Sequence, residues 1–243
     1  MTELKQIIIQ IGLQILIALA LIIPISLFTK MKNKKLLFIY FLCFISILIA
    51  YFIPKSTIFD SLKMNWQGQI LVIILSISFV YFTHFITPKQ VGFTSKINKT
   101  VWLPLIFLSI LGIMFNLFVR GLDGISTTTE YLLYQLTMPS LAEEMAFRGV
   151  LLGLLNFIFI SRKKIFGADI GWGAIILSLA FGLGHSIYFD ENNNIQFAFD
   201  AFLVTTVLAL VMTYLKEKGE SIIPSIIFHS IYNASLPLIK IFL

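Results

Sequence analysis

Two adjacent glutamates and an arginine stand inside an apolar stretch, Ala142-Glu143-Glu144-Met145-Ala146-Phe147-Arg148. A charged side chain at the centre of a membrane helix costs roughly 2.5–3.5 kcal/mol on translocon scales, so a chain that places three so close together uses them. Adjacent helical residues point about 100° apart, which keeps Glu143 and Glu144 from readily sharing one role. Glu144 and Arg148 are spaced i, i+4 with the acid on the N-terminal side, the favoured orientation for an ion pair. Such a pair offsets two desolvation costs and leaves Glu143 free to face a cavity. A plainer reading also fits: Ser140-Leu141-Ala142-Glu143 matches the capping box Ser-x-x-Glu, in which Glu143 only caps the helix that Pro139 begins.

Two histidines widen the chemistry. His185 ends Phe181-Gly182-Leu183-Gly184-His185, and His229 lies in Phe228-His229-Ser230-Ile231-Tyr232-Asn233, where His229 and Asn233 share a helix face at i, i+4. A histidine in a membrane helix also serves simply as a helix–helix hydrogen-bonding group; His84, with no acid or amide nearby, is read that way. Glu143, His185, His229 and Asn233 come from three apolar stretches and supply a base, two imidazoles and an amide. Glutamate with two histidines is also a set that suits zinc in hydrolytic sites. There is no His-Glu-x-x-His, no nucleophile elbow, and no serine with a base at a telling spacing. Asp200 reads as an interfacial residue and 190–194 as a solvated loop.

The elements that position these residues are membrane helices. The chain of 243 residues is 58% hydrophobic and 12% charged, with mean hydropathy +0.93; soluble domains carry about 25% charged residues. A span needs about 20 apolar residues, and eight candidates occur, at roughly 7–28, 36–53, 70–87, 101–119, 131–160, 171–189, 197–215 and 222–242. The fold class expected is all-α, a single polytopic membrane domain over 1–243, with broken helices around an intramembrane polar cavity. The fifth stretch, at 1.5 Å per residue, would reach about 45 Å against a hydrocarbon core of about 30 Å, so a break is expected at Pro139: a short helix before it, then a spanning helix carrying the glutamates. Gly149 and Gly153 form a Gly-x-x-x-Gly face for close helix packing.

The formal charge of +6 is a topology signal rather than one for nucleic acid. Connections after the odd-numbered spans hold Lys30, Lys32, Lys34, Lys35, Lys89, Lys96, Lys99, Arg162, Lys163, Lys164, Lys216 and Lys218, while the other side holds Lys5, Lys55, Lys63, Arg120 and Lys240. The positive-inside rule then puts both termini outside. Trp66, Trp102 and Trp172 fall near predicted span ends, as an aromatic belt expects. Cys43 is the single cysteine, which excludes an intrachain disulfide and any multi-cysteine metal site.

Taken together, Glu143-Glu144-x-x-x-Arg148, Phe181-x-x-x-His185 and His229-x-x-x-Asn233 resemble the CPBP family, also called the Abi family, of CAAX-type prenyl endopeptidases and bacteriocin-processing or immunity membrane proteases. The resemblance covers about 130–237; the spans in 1–119 carry no matching motif. It implies an intramembrane endopeptidase whose candidate catalytic residues are Glu143, Glu144, Arg148, His185, His229 and Asn233. Glu143 would activate a water with help from His185, and His229 and Asn233 would stabilise the oxyanion. If a metal such as zinc is used, Glu143, His185 and His229 are its expected ligands. The implied partners are a peptide or protein substrate that reaches the membrane, and the lipid bilayer. Richness in Ile, Lys, Asn and Phe reads as an AT-rich genome, pointing to a bacterial cell membrane and to bacteriocin processing or self-immunity. Two other classes answer to the same residues: an ion-coupled transporter, since acids and histidines mark proton relays, and a non-catalytic immunity or scaffold protein acting by binding.

Overall fold

Long apolar runs become helices here because hydrocarbon offers the backbone no other hydrogen-bond partners. The computed structural model describes residues 3–83 and 85–243, so His84 lies outside the described residues. Its helices are α1 (Glu3–Phe28), α2 (Lys35–Phe52), α3 (Trp66–Phe82), the single turn α4 (Pro88–Val91), α5 (Trp102–Arg120), α6 (Thr129–Glu143), α7 (Leu152–Ile158), α8 (Trp172–Ser186), α9 (Phe199–Gly219) and α10 (Ile223–Phe242). A π-helical segment, Glu144–Leu151, joins α6 to α7. Among the described residues, five helices are long and apolar enough to cross a membrane, and α3 and α8 are shorter apolar helices. The protein is an all-α polytopic integral membrane protein, with two small antiparallel hairpins, β1 (Arg162–Ile165) with β2 (Ala168–Gly171) and β3 (Ile187–Phe189) with β4 (Ile195–Phe197).

Contacts between connections follow the alternation of spans. At the end rich in lysine, the Lys32 N–H donates to the Ile158 carbonyl, Asn98 N–H to Gly219, and Ile222 N–H to Gly92. At the opposite end, Glu130 accepts from the backbone of Lys63 and Met64, Gln6 donates to Asn193, and Lys240 donates to Ile125.

The expected break at Pro139 does not occur. Pro139 is buried inside α6, and the helix runs through it. A proline withholds one helical hydrogen bond, but hydroxyl side chains and local π adjustment compensate for such losses in membrane helices. Around the proline, Thr137 Oγ1 donates to the Leu133 carbonyl at 2.6 Å and Ser140 Oγ to the Thr137 carbonyl at 3.0 Å, neither of them to the Gln135 carbonyl that Pro139 leaves without its helical donor, and the π segment follows within one turn. The capping-box reading falls with the break: Ser140 is mid-helix, and its hydroxyl lies 2.7 Å from that of Ser230 on α10. The cap of α6 is Thr128, whose side chain accepts from the Tyr131 N–H.

Small residues set two close approaches. A Cβ at Gly153 would come 2.6 Å from Val91, and one at Gly149 would collide with Phe93; the Gly-x-x-x-Gly face thus receives the α4 turn, not a second spanning helix. A Cβ at Gly182 would collide with Thr206 Oγ1 and lie 3.0 Å from the Phe202 carbonyl, which is how α8 and α9 come to pack closely along their lengths.

Candidate active site

The π segment carries Glu144 and Arg148, directly after Glu143, the last residue of α6. Its i→i+5 bonding puts more residues in each turn than an α-helix has, and such segments recur at functional sites. Glu144 and Arg148, four apart, therefore fall near one face. Arg148 Nη1 donates to Glu144 Oε1 at 3.1 Å, with both side chains almost fully buried at 1% and 0% exposure. The same oxygen accepts from His229 Nδ1 at 2.9 Å. This contact, between residues 85 apart in the chain, was not foreseen in the sequence; it makes Glu144 the hinge between the charged pair and α10.

On the other side, Arg148 leads to His185. Its guanidinium carbon sits 4.4 Å from the Phe181 ring centre, a cation–π distance, and the Phe181 and His185 rings lie 4.3 Å apart. His185 Nδ1 donates to the Phe181 carbonyl at 2.9 Å. An unbroken line of contacts thus runs His229–Glu144–Arg148–Phe181–His185. Phe181, with no role expected from the sequence beyond its place in a motif, is the ring that joins the arginine to the histidine.

These contacts decide tautomers. A carboxylate and a carbonyl only accept, so both histidines carry their proton on Nδ1. On a neutral ring Nε2 is then an acceptor, and it donates only when the ring is doubly protonated.

Glu143, His185, His229 and Asn233 line one cleft of about 530 Å³ among α5, α6, α8, α9 and α10, with Arg120 and Asp200 also on its walls. Asp200, in the first turn of α9, also lines the cleft. Glu143 is half-buried and, unlike Glu144, is not tied into the ion-pair line. Glu144 and Arg148 stand behind the cleft rather than in its lining. Among the described residues no three His, Cys, Asp or Glu side chains gather as a set that could hold a metal. Glu143, His185 and His229 share the cleft without forming such a group, so this arrangement does not fit a resident metal, and no step below passes through one.

The depth of His185 follows from helix length. A histidine near the outer end of a full span would sit far from His229, which lies near the inner third of α10. But α8 has only 15 residues, about 22 Å at 1.5 Å per residue, and ends well short of a 30 Å core. The chain leaves it through the β3–β4 hairpin, whose paired strands keep the backbone satisfied, and the Ala198 N–H closes onto the Ser186 carbonyl at 2.9 Å. His185 is thereby held at the level of the glutamates. The predicted span 171–189 was drawn too long because its last three residues are apolar strand.

Residues 125–235 match the family described as Rce1-like, type II CAAX prenyl endopeptidase Rce1-like, in agreement with the resemblance carried by the three motifs. The match runs from just before α6 into α10 and takes in all six candidate residues. By its description the family is one of peptide hydrolases. No curated protein and no solved structure matches the chain.

Proposed function

We propose that this protein is an intramembrane endopeptidase in which Glu143 activates water. The observation that carries the reading is the convergence, in one cleft, of a carboxylate outside the ion-pair line with two histidines of defined tautomer and an amide. Glu143 takes a proton from water while neutral His185 Nε2 accepts a hydrogen bond from it. The oxygen attacks the peptide carbonyl carbon, and the carbonyl electrons move onto oxygen. Doubly protonated His229, steadied by Glu144, and the Asn233 amide donate to that oxyanion; each such donor contributes about 3–4 kcal/mol in enzymes where it has been removed. The tetrahedral species collapses, the carbon–nitrogen bond breaks, and Glu143 returns its proton to the departing amine. Arg148 holds Glu144 in place and stacks on Phe181, which seats His185.

The family's description makes a CAAX-type peptide, with and without a prenyl group, the first substrate to offer, alongside an unbiased peptide library, to the purified protein in lipid vesicles. Cleavage by the wild type is expected to fall about 10²-fold or more in Glu143→Ala, at unchanged thermal stability. Undiminished cleavage by Glu143→Ala, or none by the wild type, would sink the assignment. As physiological role we assign bacteriocin processing or self-protection in a bacterial membrane; protection of a sensitive strain that survives both Glu143→Ala and His185→Ala would instead mean that the protein acts by binding.

A further inference from the structure

Behind the catalytic pair lies a second cavity, of about 270 Å³, that shares Glu143 and His185 with the first. Its remaining polar lining comes from the N-terminal helices, which lie outside the matched stretch: Gln14 of α1, Tyr51 of α2, and Asn65 and Gln69 at the start of α3. Gln69 is 5% exposed; its amide nitrogen donates to the Tyr134 hydroxyl at 3.1 Å, while its Oε1 and the Tyr51 hydroxyl are buried without a partner among the described residues. Gln14 is held in the wall because α8 has a glycine opposite it: a Cβ at Gly184 would lie 3.0 Å from both atoms of the Gln14 amide.

A buried polar group without a protein partner is normally satisfied by water, and a site holds water when it is roomy and offers two to four polar partners. At about 30 Å³ per molecule, this cavity takes several. Its position has a kinetic meaning. A peptide lying in the larger cleft covers Glu143 from the front and excludes the solvent needed for its own hydrolysis. The second cavity reaches Glu143 and His185 from behind, at the end of the bundle opposite the basic connections, where Asn65 caps α3. We infer that α1–α3 form a water chamber that supplies the hydrolytic water to Glu143 while substrate occupies the cleft, with Gln14, Tyr51 and Gln69 as positioning residues. This rests on the endopeptidase reading and gives the motif-free half of the chain a part in it.

Two measurements test it. In a Cys43→Ser background, Ala180→Cys places a thiol on the chamber wall, where a small water-soluble methanethiosulfonate is expected to modify it; a thiol that stays unmodified means a dry cavity and overturns the inference. Separately, Gln69→Leu removes the free acceptor at nearly constant volume, and Ala180→Leu fills the space. Each is expected to lower kcat about tenfold or more with KM for the cleaved peptide unchanged, the pattern of a misplaced nucleophile; Gln69→Leu is also expected to lower the thermal midpoint slightly, because the Tyr134 hydroxyl loses its donor. Gln69→Leu carries the test alone if Ala180→Leu does not fold. Unchanged kcat, or a raised KM at constant kcat, would show that the cavity does not feed the reaction. Retained cleavage in Glu143→Ala would instead remove the functional reading, a result the thiol labelling does not depend on.

Discussion

Glu144 is a buried carboxylate that takes two partners through one oxygen. Its Oε1 receives both Arg148 and His229, so neutralising either end of the pair has unequal consequences. Arg148→Met removes one of the two donors to Glu144 Oε1 and leaves the buried carboxylate to His229 alone; it is expected to destabilise the protein by about 3–5 kcal/mol, read as a lowered thermal midpoint in detergent together with lost cleavage. Glu144→Gln keeps an acceptor for His229 Nδ1 in its amide oxygen, so it should retain more activity than Glu144→Ala, which leaves the ring unheld. Since Glu143, His185 and His229 form no metal-binding set, dialysis against a chelator is expected to leave cleavage intact, with metal analysis of the active fraction reading below one equivalent; loss of activity restored by zinc would reverse that view. The capping role that Ser140 offered to Glu143 vanished because capping needs a helix start, and Pro139 does not make one here.

At the scale of elements, two local devices place the site. The π segment turns Glu144 and Arg148 toward α10 and α8, and the shortness of α8 lowers His185 to meet them. Gly182 holds α8 against α9, so Gly182→Val would have to displace Thr206 and the Phe202 backbone. Overpacking of this kind costs about 1–3 kcal/mol, and both the thermal midpoint and kcat should fall, because His185 rides on the displaced helix. The hairpin after α8 is knotted by Asp190, whose carboxylate accepts from the backbone N–H groups of Asn192 and Asn194 and from Gln196. The Asn194 amide first of all, with Gln196 next, holds the Asp190 carboxyl below its ordinary value. A depressed folded pKa means that the stabilisation is present above the unfolded carboxylate range and is lost as pH falls through the folded value. The Asn192 and Asn194 amide resonances should therefore shift in acid, and Asp190→Asn should abolish that titration.

For the whole molecule, charge and geometry give a testable orientation. Twelve of the basic side chains sit in the connections after odd-numbered spans or in the helix turns that border them, and the contacts between connections keep those at one end. In the Cys43→Ser background, a membrane-impermeant thiol reagent is expected to reach Asn192→Cys from outside the cell and Lys163→Cys only after lysis; the reverse pattern would invert the positive-inside assignment.

Much of this was legible in one chain because hydrophobic runs and their lengths are local properties. Eight apolar stretches, the Glu144–Arg148 spacing and the His229–Asn233 face follow from periodicity alone. Gln14 was also visible, as an amide inside an apolar run, and a count of polar residues per span would have marked it as a group needing a partner; Gln69, one residue ahead of the run drawn at 70–87, would have escaped that count. What periodicity does not hold is the rotation of each helix about its axis and its depth along the bundle normal. Those depend on which side chains interdigitate between helices distant in sequence. So the residue types, their price in hydrocarbon and the family they resemble came from the sequence. The tie from Glu144 to His229, the passage of the helix through Pro139, the level of His185 and the second cavity behind Glu143 were decided only when the helices packed against one another.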